Sequence, residues 1–130
     1  MSVAIEAINP KSLPEPTPTF THGLRVTGCT ELLFVSGQVA WADTDGQVPR
    51  GFDRQCEQAW KNILDVLEEA CMGVENLVKV TVYLSDRKYC AALGQIRDCY
   101  LGRHRPAFTC IITDIYSEHW LLEIEAVAAR

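Results

Sequence analysis

The stretch LVKVTVYL, residues 77–84, indicates the centre of the fold. Its apolar residues fall on one face of a strand: Val78, Val80, Val82 and Leu84. Its more polar residues fall on the opposite face: Lys79, Thr81 and Tyr83. Side chains alternate between the two faces of a strand, and β-branched residues favour that conformation. The pattern predicts a central strand of a sheet.

A helical pattern precedes this strand and another follows it. Residues 53–72 repeat apolar side chains at spacings of three and four: Cys56, Ala59, Trp60, Ile63, Val66, Leu67, Ala70 and Cys71. This stripe predicts a helix that packs along one side, capped by Asp53 at its start and by Gly73 at its end. A second helix is predicted from about Asp86 to Leu101, ending at Gly102. Its expected inner residues are Tyr89, Ala92, Leu93, Ile96 and Tyr100.

The rest of the chain predicts further strands around this unit. Residues 1–7 indicate a short first strand, and prolines in residues 9–19 predict an extended arm. Apolar runs over residues 23–28 and 31–38 suggest a hairpin, and DTDG at 43–46 indicates a turn. Two closing strands lie within PAFTCIITDIYSEHWLLEIEA, residues 106–126.

The order of strands, helix, strand, helix and strands predicts a single α+β domain over residues 1–130. Both helices are expected to cover one face of a mixed sheet. The opposite face is too apolar to stay in water, which predicts a homo-oligomer that buries it.

The closing strands hold the best candidates for chemistry. In the first, Phe108 and Cys110 share a face with Ile112. In the second, Glu123 and Glu125 share a face. Glutamate is depleted in strands and costly to bury unpaired. Two explanations follow: a functional carboxylate, or a side of the sheet that faces solvent.

Composition excludes several classes of function. The chain has 130 residues, 48% of them hydrophobic, and a formal net charge of −5. This acidic balance argues against a nucleic-acid partner, and Arg103, His104 and Arg105 form only a short basic cluster. No apolar run approaches the roughly 18 residues of a membrane span, and no basic segment followed by an apolar run opens the chain. We therefore expect a soluble, cytoplasmic protein without a membrane partner.

The cysteines and histidines do not predict a metal site or a cofactor. The chain has six cysteines without a CxxC pair, which favours reduced thiols over disulfides. His22, His104 and His119 lack the spacing of known metal motifs. We expect neither a metal nor a cofactor.

Five segments in order resemble the RidA/YjgF family of reactive-intermediate deaminases. They are LLFVSGQVA, QAWKNILDVLEEA with Gln58 and Asn62, LVKVTVYLSD, RPAFT and LEIEAVA, and they cover the chain from about Phe20 to its C-terminus. The resemblance implies a chorismate-mutase-like fold and a homotrimer. Small-molecule clefts would lie between neighbouring subunits, without nucleic acid.

The family's deaminases hydrolyse 2-imino or enamine acids to 2-keto acids and ammonia. In them an arginine after Pro-Ala grips the substrate carboxylate and a glutamate of the last strand activates water. By resemblance, Ser36 and Glu123 match a cleft serine and that glutamate. Gly37 follows Ser36 and allows a close backbone approach, and Cys110 matches a cysteine that some members carry.

Three positions differ from the family pattern. Phe108 stands at the position of the arginine, Phe20 at that of a tyrosine, and Gly94 at that of an asparagine. Loss of a charge-assisted bidentate pair weakens carboxylate binding by about 10- to 100-fold. The sequence thus predicts that 2-aminoacrylate is not the substrate.

Two functions remain open at this stage. In the first, the protein is a hydrolase or deaminase-type enzyme in which Glu123 acts as a general acid or base on a less polar metabolite, with Cys110 as a second participant or as a small packing residue. In the second, the protein only binds a metabolite or serves a partner enzyme. The expected ligand contacts are the same in both cases: Phe20, Ser36, Gly37, Gly94 and Phe108.

Overall fold

The computed structural model describes residues 3–16, 20–41 and 47–130. The strands described are β1 (Ala4–Ile8), β2 (Gly23–Thr27), β3 (Leu32–Gln38), β4 (Leu77–Leu84), β5 (Ala107–Ile112) and β6 (Leu122–Ala129). The helices are α1 (Phe52–Glu69) and α2 (Cys90–Leu101), with short 3₁₀ turns at Val74–Asn76 and Arg87–Tyr89. The turn predicted at residues 43–46 lies outside the described residues. The order of elements confirms the prediction of a mixed α+β domain with two helices.

Strand β4 is central, as predicted. The larger sheet has the order β3-β6-β4-β5, in which β4 pairs antiparallel with β6 and parallel with β5. Val80, Val82 and Leu84 are fully buried. Val78 lies at an irregularity in the pairing with β6, between Leu77 and Lys79, so the alternation predicted for the strand holds only from Lys79 onward.

The predicted hairpin between residues 23–28 and 31–38 is wrong. Strand β2 pairs with β1 in a separate two-stranded sheet, whereas β3 pairs antiparallel with β6. The reason is a set of backbone bonds at the start of β3. The amides of Thr30 and Glu31 donate to the Arg130 carbonyl at 2.8 and 2.9 Å, and the Arg130 amide donates to Glu31 at 3.0 Å. The chain after β2 is therefore tied to the C-terminal strand.

The apolar stripe of α1 packs on one face of the larger sheet. Cys56, Ala59, Trp60 and Ile63 are fully buried, in one cluster with the inward residues of β4 and β6. Helix α2 adds Leu93 and Leu101 to the same cluster. The ring of Trp60 stacks on that of Tyr100 with centroids 6.3 Å apart. This single core fixes both helices against the same side of the sheet.

The predicted caps of α1 are corrected by the structure. The helix begins after Gly51, with no side-chain cap, so Asp53 lies in the first turn instead. At the other end the left-handed residue is Cys71, with φ 58°, two residues before Gly73. The Cys71 amide donates to the Glu68 carbonyl at 2.9 Å and the Met72 amide to that of Leu67 at 2.8 Å. These bonds form a Schellman motif that ends the helix before Gly73.

The ends of α2 agree better with the sequence. Gly102 follows the helix with φ 60°, as predicted from its position. Asp86 caps the preceding 3₁₀ turn, because its side chain accepts from the Lys88 amide at 2.9 Å, so the α-helix itself starts later, at Cys90. None of the helices in the described ranges is long and apolar enough to cross a membrane.

Two polar side chains of α1 hold the loops that border the sheet. Gln55 is buried, and its amide nitrogen donates to the carbonyls of Pro49 and His119 at 2.9 and 3.1 Å. Its oxygen accepts from the Leu121 amide at 2.9 Å. Asn62 donates to the carbonyl of Val39 at 2.9 Å, just after β3. Helix α1 thereby positions the chain that leads into β6 and leaves β3.

Replacing Gln55 with leucine should lower the free energy of unfolding by about 2–4 kcal/mol, because an unsatisfied buried polar group costs about 1–3 kcal/mol. Chemical denaturation measures this loss. The matched control is Gln95→Leu at an exposed position of α2, which should change stability by no more than about 0.5 kcal/mol. Equal stabilities of the two variants would show that the Gln55 bonds do not hold the loops.

Candidate functional site

The face of the larger sheet that points away from the helices carries Glu123. We call this the outer face. Glu123 and Glu125 of β6 alternate with the buried Leu122, Ile124 and Ala126, which confirms that the two carboxylates share a face. Both are half-buried. Their cross-strand partners are Tyr83 for Glu123 and Thr81 for Glu125.

Gly37 lies directly against the Glu123 carboxylate. A Cβ atom at position 37 would collide with the Oε2 and carboxyl carbon of Glu123. The pairing of β3 with β6 is irregular between Val35 and Gln38, which is where Gly37 lies. The absence of a side chain at this bulge leaves the space that Glu123 occupies. The predicted site residues Gly37 and Glu123 are therefore neighbours in one chain.

Glu125 has a role at this face that the sequence did not predict. The Tyr83 hydroxyl donates to Glu125 Oε1 at 2.5 Å, which fixes that carboxylate. Burial raises the pKa of Glu123, and the negative charge of Glu125 raises it further. The hydrogen bond to Glu125 likewise raises the pKa of Tyr83. The signal that could have revealed the pair is the register of β4 and β6, which the sequence does not give.

Ser36 opens onto a groove on the outer face. The groove has a volume of about 320 Å³ and is bordered by Phe34, Ser36, Lys79, Thr81, Glu125 and Val127, among others. Lys79 Nζ donates to Thr109 Oγ1 at 2.6 Å across the edge of the sheet. Phe34 is 72% exposed and Leu32 is 57% exposed. This face of β3 is thus open to solvent in one chain.

Phe108 and Cys110 lie on the other face of the sheet, towards the helices. In the parallel ladder with β4 they pair with the buried Val80 and Val82, so they share a face as predicted. Cys110 is exposed at the margin of this face. Packing around its sulfur raises the pKa of the thiol, and the charge of Arg97 opposes this effect. A raised pKa lowers the thiolate fraction, which disfavours Cys110 as a nucleophile.

Phe20 lies next to the start of β5. The residue after it, Thr21, forms an isolated parallel bridge with Ala107, which precedes Phe108. The Phe20 ring meets the His22 ring edge to face, with centroids 5.4 Å apart. Phe20 and Phe108, two of the predicted ligand contacts, therefore both lie near the start of β5.

Arg97 of α2 was missed by the sequence analysis and lies at the same place. Its guanidinium carbon is 5.1 Å from the centroid of the Phe108 ring, and its residue is 8% exposed. Its Nε donates to Asp98 Oδ1 at 3.0 Å. A Cβ at Gly94 would be 3.5 Å from Arg97 Nη2. The inner side of α2 was predicted from its apolar residues alone. Because Arg97 is charged, that pattern did not predict that it would be buried there.

The predicted site residues thus form two groups on opposite faces of one sheet. We call Ser36, Gly37 and Glu123 the carboxylate half, and Phe20, Gly94, Phe108 and Cys110 the aromatic half. Glu123 pairs with Tyr83 on the outer face, whereas Phe108 pairs with Val80 on the helix side. Within one chain the two halves do not share a cleft. In the part of the chain described, no three His, Cys, Asp or Glu side chains are grouped to hold a metal ion.

Comparison with known proteins identifies the class. Residues 11–130 match the family model described as Endoribonuclease L-PSP. A RutC family protein of Aquifex aeolicus is 37% identical over 127 residues, which cover 96% of this chain and 98% of that protein. The chain belongs to this family, which is the RidA/YjgF family that the sequence segments indicated.

Two further relatives add detail. A rat protein named 2-iminobutanoate/2-iminopropanoate deaminase is 31% identical over 99 residues, covering 75% of this chain and 72% of that protein. The crystal structure of the Rid-family protein YyfB from Yersinia pestis has a TM-score of 0.82 and 27% sequence identity. It covers 97% of this chain and 98% of that one. The whole single-chain fold therefore agrees with a solved Rid protein.

Replacing Glu125 with glutamine should lower the pKa of Glu123. Removing the adjacent negative charge stabilises the Glu123 carboxylate, while burial keeps its pKa above the ordinary value. Carboxyl carbon NMR titration of the two proteins measures the change. The control Glu118→Gln, at an exposed loop position, should leave the pKa of Glu123 unchanged. An unaltered or higher pKa in Glu125→Gln would contradict the electrostatic coupling.

Proposed function

We propose that this protein is a RidA-like enzyme of the hydrolase or deaminase type with small-molecule clefts between subunits. The observation that carries the proposal is the Glu123 carboxylate, placed against Gly37 and next to Glu125 with a raised pKa. A carboxyl group whose pKa is closer to neutral is a more effective proton donor and acceptor. The proposal requires no cofactor, and a cytoplasmic location stays a prediction.

Each cleft requires a second copy of the chain. The carboxylate half and the aromatic half lie on opposite faces, so a cleft that uses both must take one from each of two subunits. The outer face also exposes apolar side chains: Leu32 at 57%, Phe34 at 72% and Ile111 at 43%. An exposed apolar patch beside polar groups is typical of a protein interface. A closed homotrimer would bury this face and form the clefts.

Glu123 supplies the proton chemistry in this proposal. Its carboxylate takes a proton from a water molecule as the oxygen adds to the carbon of a C=NH bond, and the resulting carboxyl group passes that proton to the nitrogen, which gives a C(OH)–NH₂ adduct. The carboxylate then takes the hydroxyl proton of the adduct and passes it to the nitrogen as the carbon–nitrogen bond breaks, which releases ammonia and leaves a C=O group. Because the pKa of Glu123 is raised, the same group can return the proton to the leaving nitrogen.

Phe108 sets the substrate apart from that of the arginine-bearing relatives. It places an aromatic ring on the helix side of β5, where the family pattern has a guanidinium, and Phe20 lies at the same edge. Apolar rings favour a ligand that buries apolar surface. The proposed substrate is therefore a reactive metabolite with a less polar body than 2-aminoacrylate.

Ammonia release from freshly generated 2-iminopropanoate should be slow in the native protein. Phe108→Arg should increase it by about 10- to 100-fold, because a bidentate guanidinium would then hold the small carboxylate. Adding Glu123→Gln to that variant should abolish the gain. A coupled assay that follows the imine and ammonia measures all three.

The matched control is Glu69→Arg, which adds an arginine at an exposed position of α1 and should leave the rate of ammonia release unchanged. Native turnover equal to that of arginine-bearing relatives would contradict the role of Phe108. If neither the small imine nor imines with larger apolar groups are hydrolysed by any variant, the protein is a non-catalytic metabolite-binding or accessory protein.

Sedimentation should give a mass three times the 14.5 kDa of one chain. Phe34→Glu should dissociate this assembly, because it places charges in the buried outer face. The control Leu13→Glu changes an apolar residue that is 47% exposed on the N-terminal arm and should leave the trimer intact. A native monomer would contradict the clefts between subunits.

A further inference from the structure

Arg97 is a buried charge without a full set of partners. It is the one charged residue classed as buried among the described residues, with 10% of its side chain exposed. A guanidinium in such a place normally has its donors satisfied. Here Nε bonds to Asp98, whose own side chain is 45% exposed.

The terminal nitrogens of Arg97 are partly exposed to solvent. Neither Nη1 nor Nη2 has a hydrogen-bond acceptor within the described parts of the chain. Among the described residues, Trp60 Nε1 is the only side-chain polar atom that is both fully buried and unpaired, so Nη1 and Nη2 are not fully buried. The exposed part of Arg97 therefore includes these nitrogens. They are the atoms with which arginine holds a carboxylate in a fork.

Two of the three departures from the family pattern border Arg97. The Phe108 ring lies under its guanidinium, with Cζ 5.1 Å from the ring centroid. Gly94 leaves open the space next to Nη2, where a Cβ would make van der Waals contact at 3.5 Å. A longer side chain at 94 would cover the guanidinium, and replacing Phe108 would remove the ring that it lies over. Gly94 and Phe108 are therefore both compatible with the position of the Arg97 guanidinium.

We propose that Arg97 binds the anionic group of the ligand, so that helix α2 supplies the cation that β5 lacks. The ligand class is a small carboxylic acid with an apolar body: the carboxylate bonds to Nη1 and Nη2, and the apolar body packs on Phe108 and Phe20. This inference rests on the proposed cleft, and it names the class of molecule that enters it.

The surroundings of Arg97 support an open cation at this position. Its charge acts on the Cys110 thiol, where it opposes the increase in pKa caused by burial. The field of Arg97 therefore reaches the exposed margin of β5, where Cys110 lies. The cation–π contact with Phe108 holds the guanidinium in place without using its hydrogen-bond donors.

The probe is 4-methyl-2-oxopentanoate, the product that hydrolysis of the corresponding imine would give, compared with the neutral 4-methylpentanamide. Isothermal titration of the native assembly should show binding of the oxo acid, and Arg97→Met should weaken it by about 10- to 100-fold. Arg97→Lys should retain part of the affinity, because it keeps the charge and loses the fork. Binding of the amide should differ little between the native protein and Arg97→Met.

A relocation variant separates ligand binding from packing. Arg97→Met combined with Phe108→Arg returns a guanidinium to the strand and should bind the oxo acid more tightly than Arg97→Met alone. Equal binding by the two folded variants would show that Arg97→Met loses affinity through altered packing and not through the missing cation. Arg103→Met removes an exposed arginine of the loop after α2 and should bind like the native protein. Thermal unfolding of each variant shows which of them keep the native fold.

Several results would overturn the inference: no binding of the oxo acid to the native protein, equal binding by a folded Arg97→Met, or no preference for the oxo acid over the amide. If Arg97→Met does not fold, a reduced carboxylate preference in Arg97→Lys decides the question in favour of the inference, and an unchanged preference decides it against. Arg97-dependent binding without ammonia release from any imine would refute the proposed enzyme and keep the inference. Hydrolysis of the imine at the native rate by Arg97→Met would refute the inference and keep the proposed enzyme.

Discussion

Strand β6 is hydrogen-bonded on both sides, to β3 and to β4, and this double pairing governs the rest of the molecule. It places Leu122, Ile124 and Ala126 in the core under α1, and Glu123 and Glu125 on the outer face. A slip by one residue would exchange the two sets and bury both carboxylates. Burial of the apolar residues of β6 in the core therefore fixes the position of Glu123, the candidate catalytic group.

The same alternation divides the candidate site. The residues of the proposed cleft lie on opposite faces of a single-layered sheet, so one chain cannot bring them together. The proposed association of copies would solve this problem and would also cover the apolar outer face around Phe34. In the proposed assembly, folding positions each half, and binding between chains makes the cleft.

Several elements were predictable from the sequence because their signals are local. The stripe from Cys56 to Leu67 specified α1, the alternation from Lys79 to Leu84 specified β4, and Gly102 specified the end of α2. The partner of β2 was not predictable, because β1 and β3 compete for it and the choice depends on bonds to the distant Arg130. The end of α1 was also misplaced, since Cys71 took the left-handed conformation expected of Gly73.

The candidate site shows the same division. The sequence by itself determined the family and the shared face of Glu123 and Glu125. Only the tertiary structure decided that Tyr83 holds Glu125, that Gly37 adjoins Glu123, and that Arg97 lies over Phe108. Periodicity reports which way a side chain points along its own element. Which side chain from another element fills the space beside it depends on packing between segments far apart in sequence.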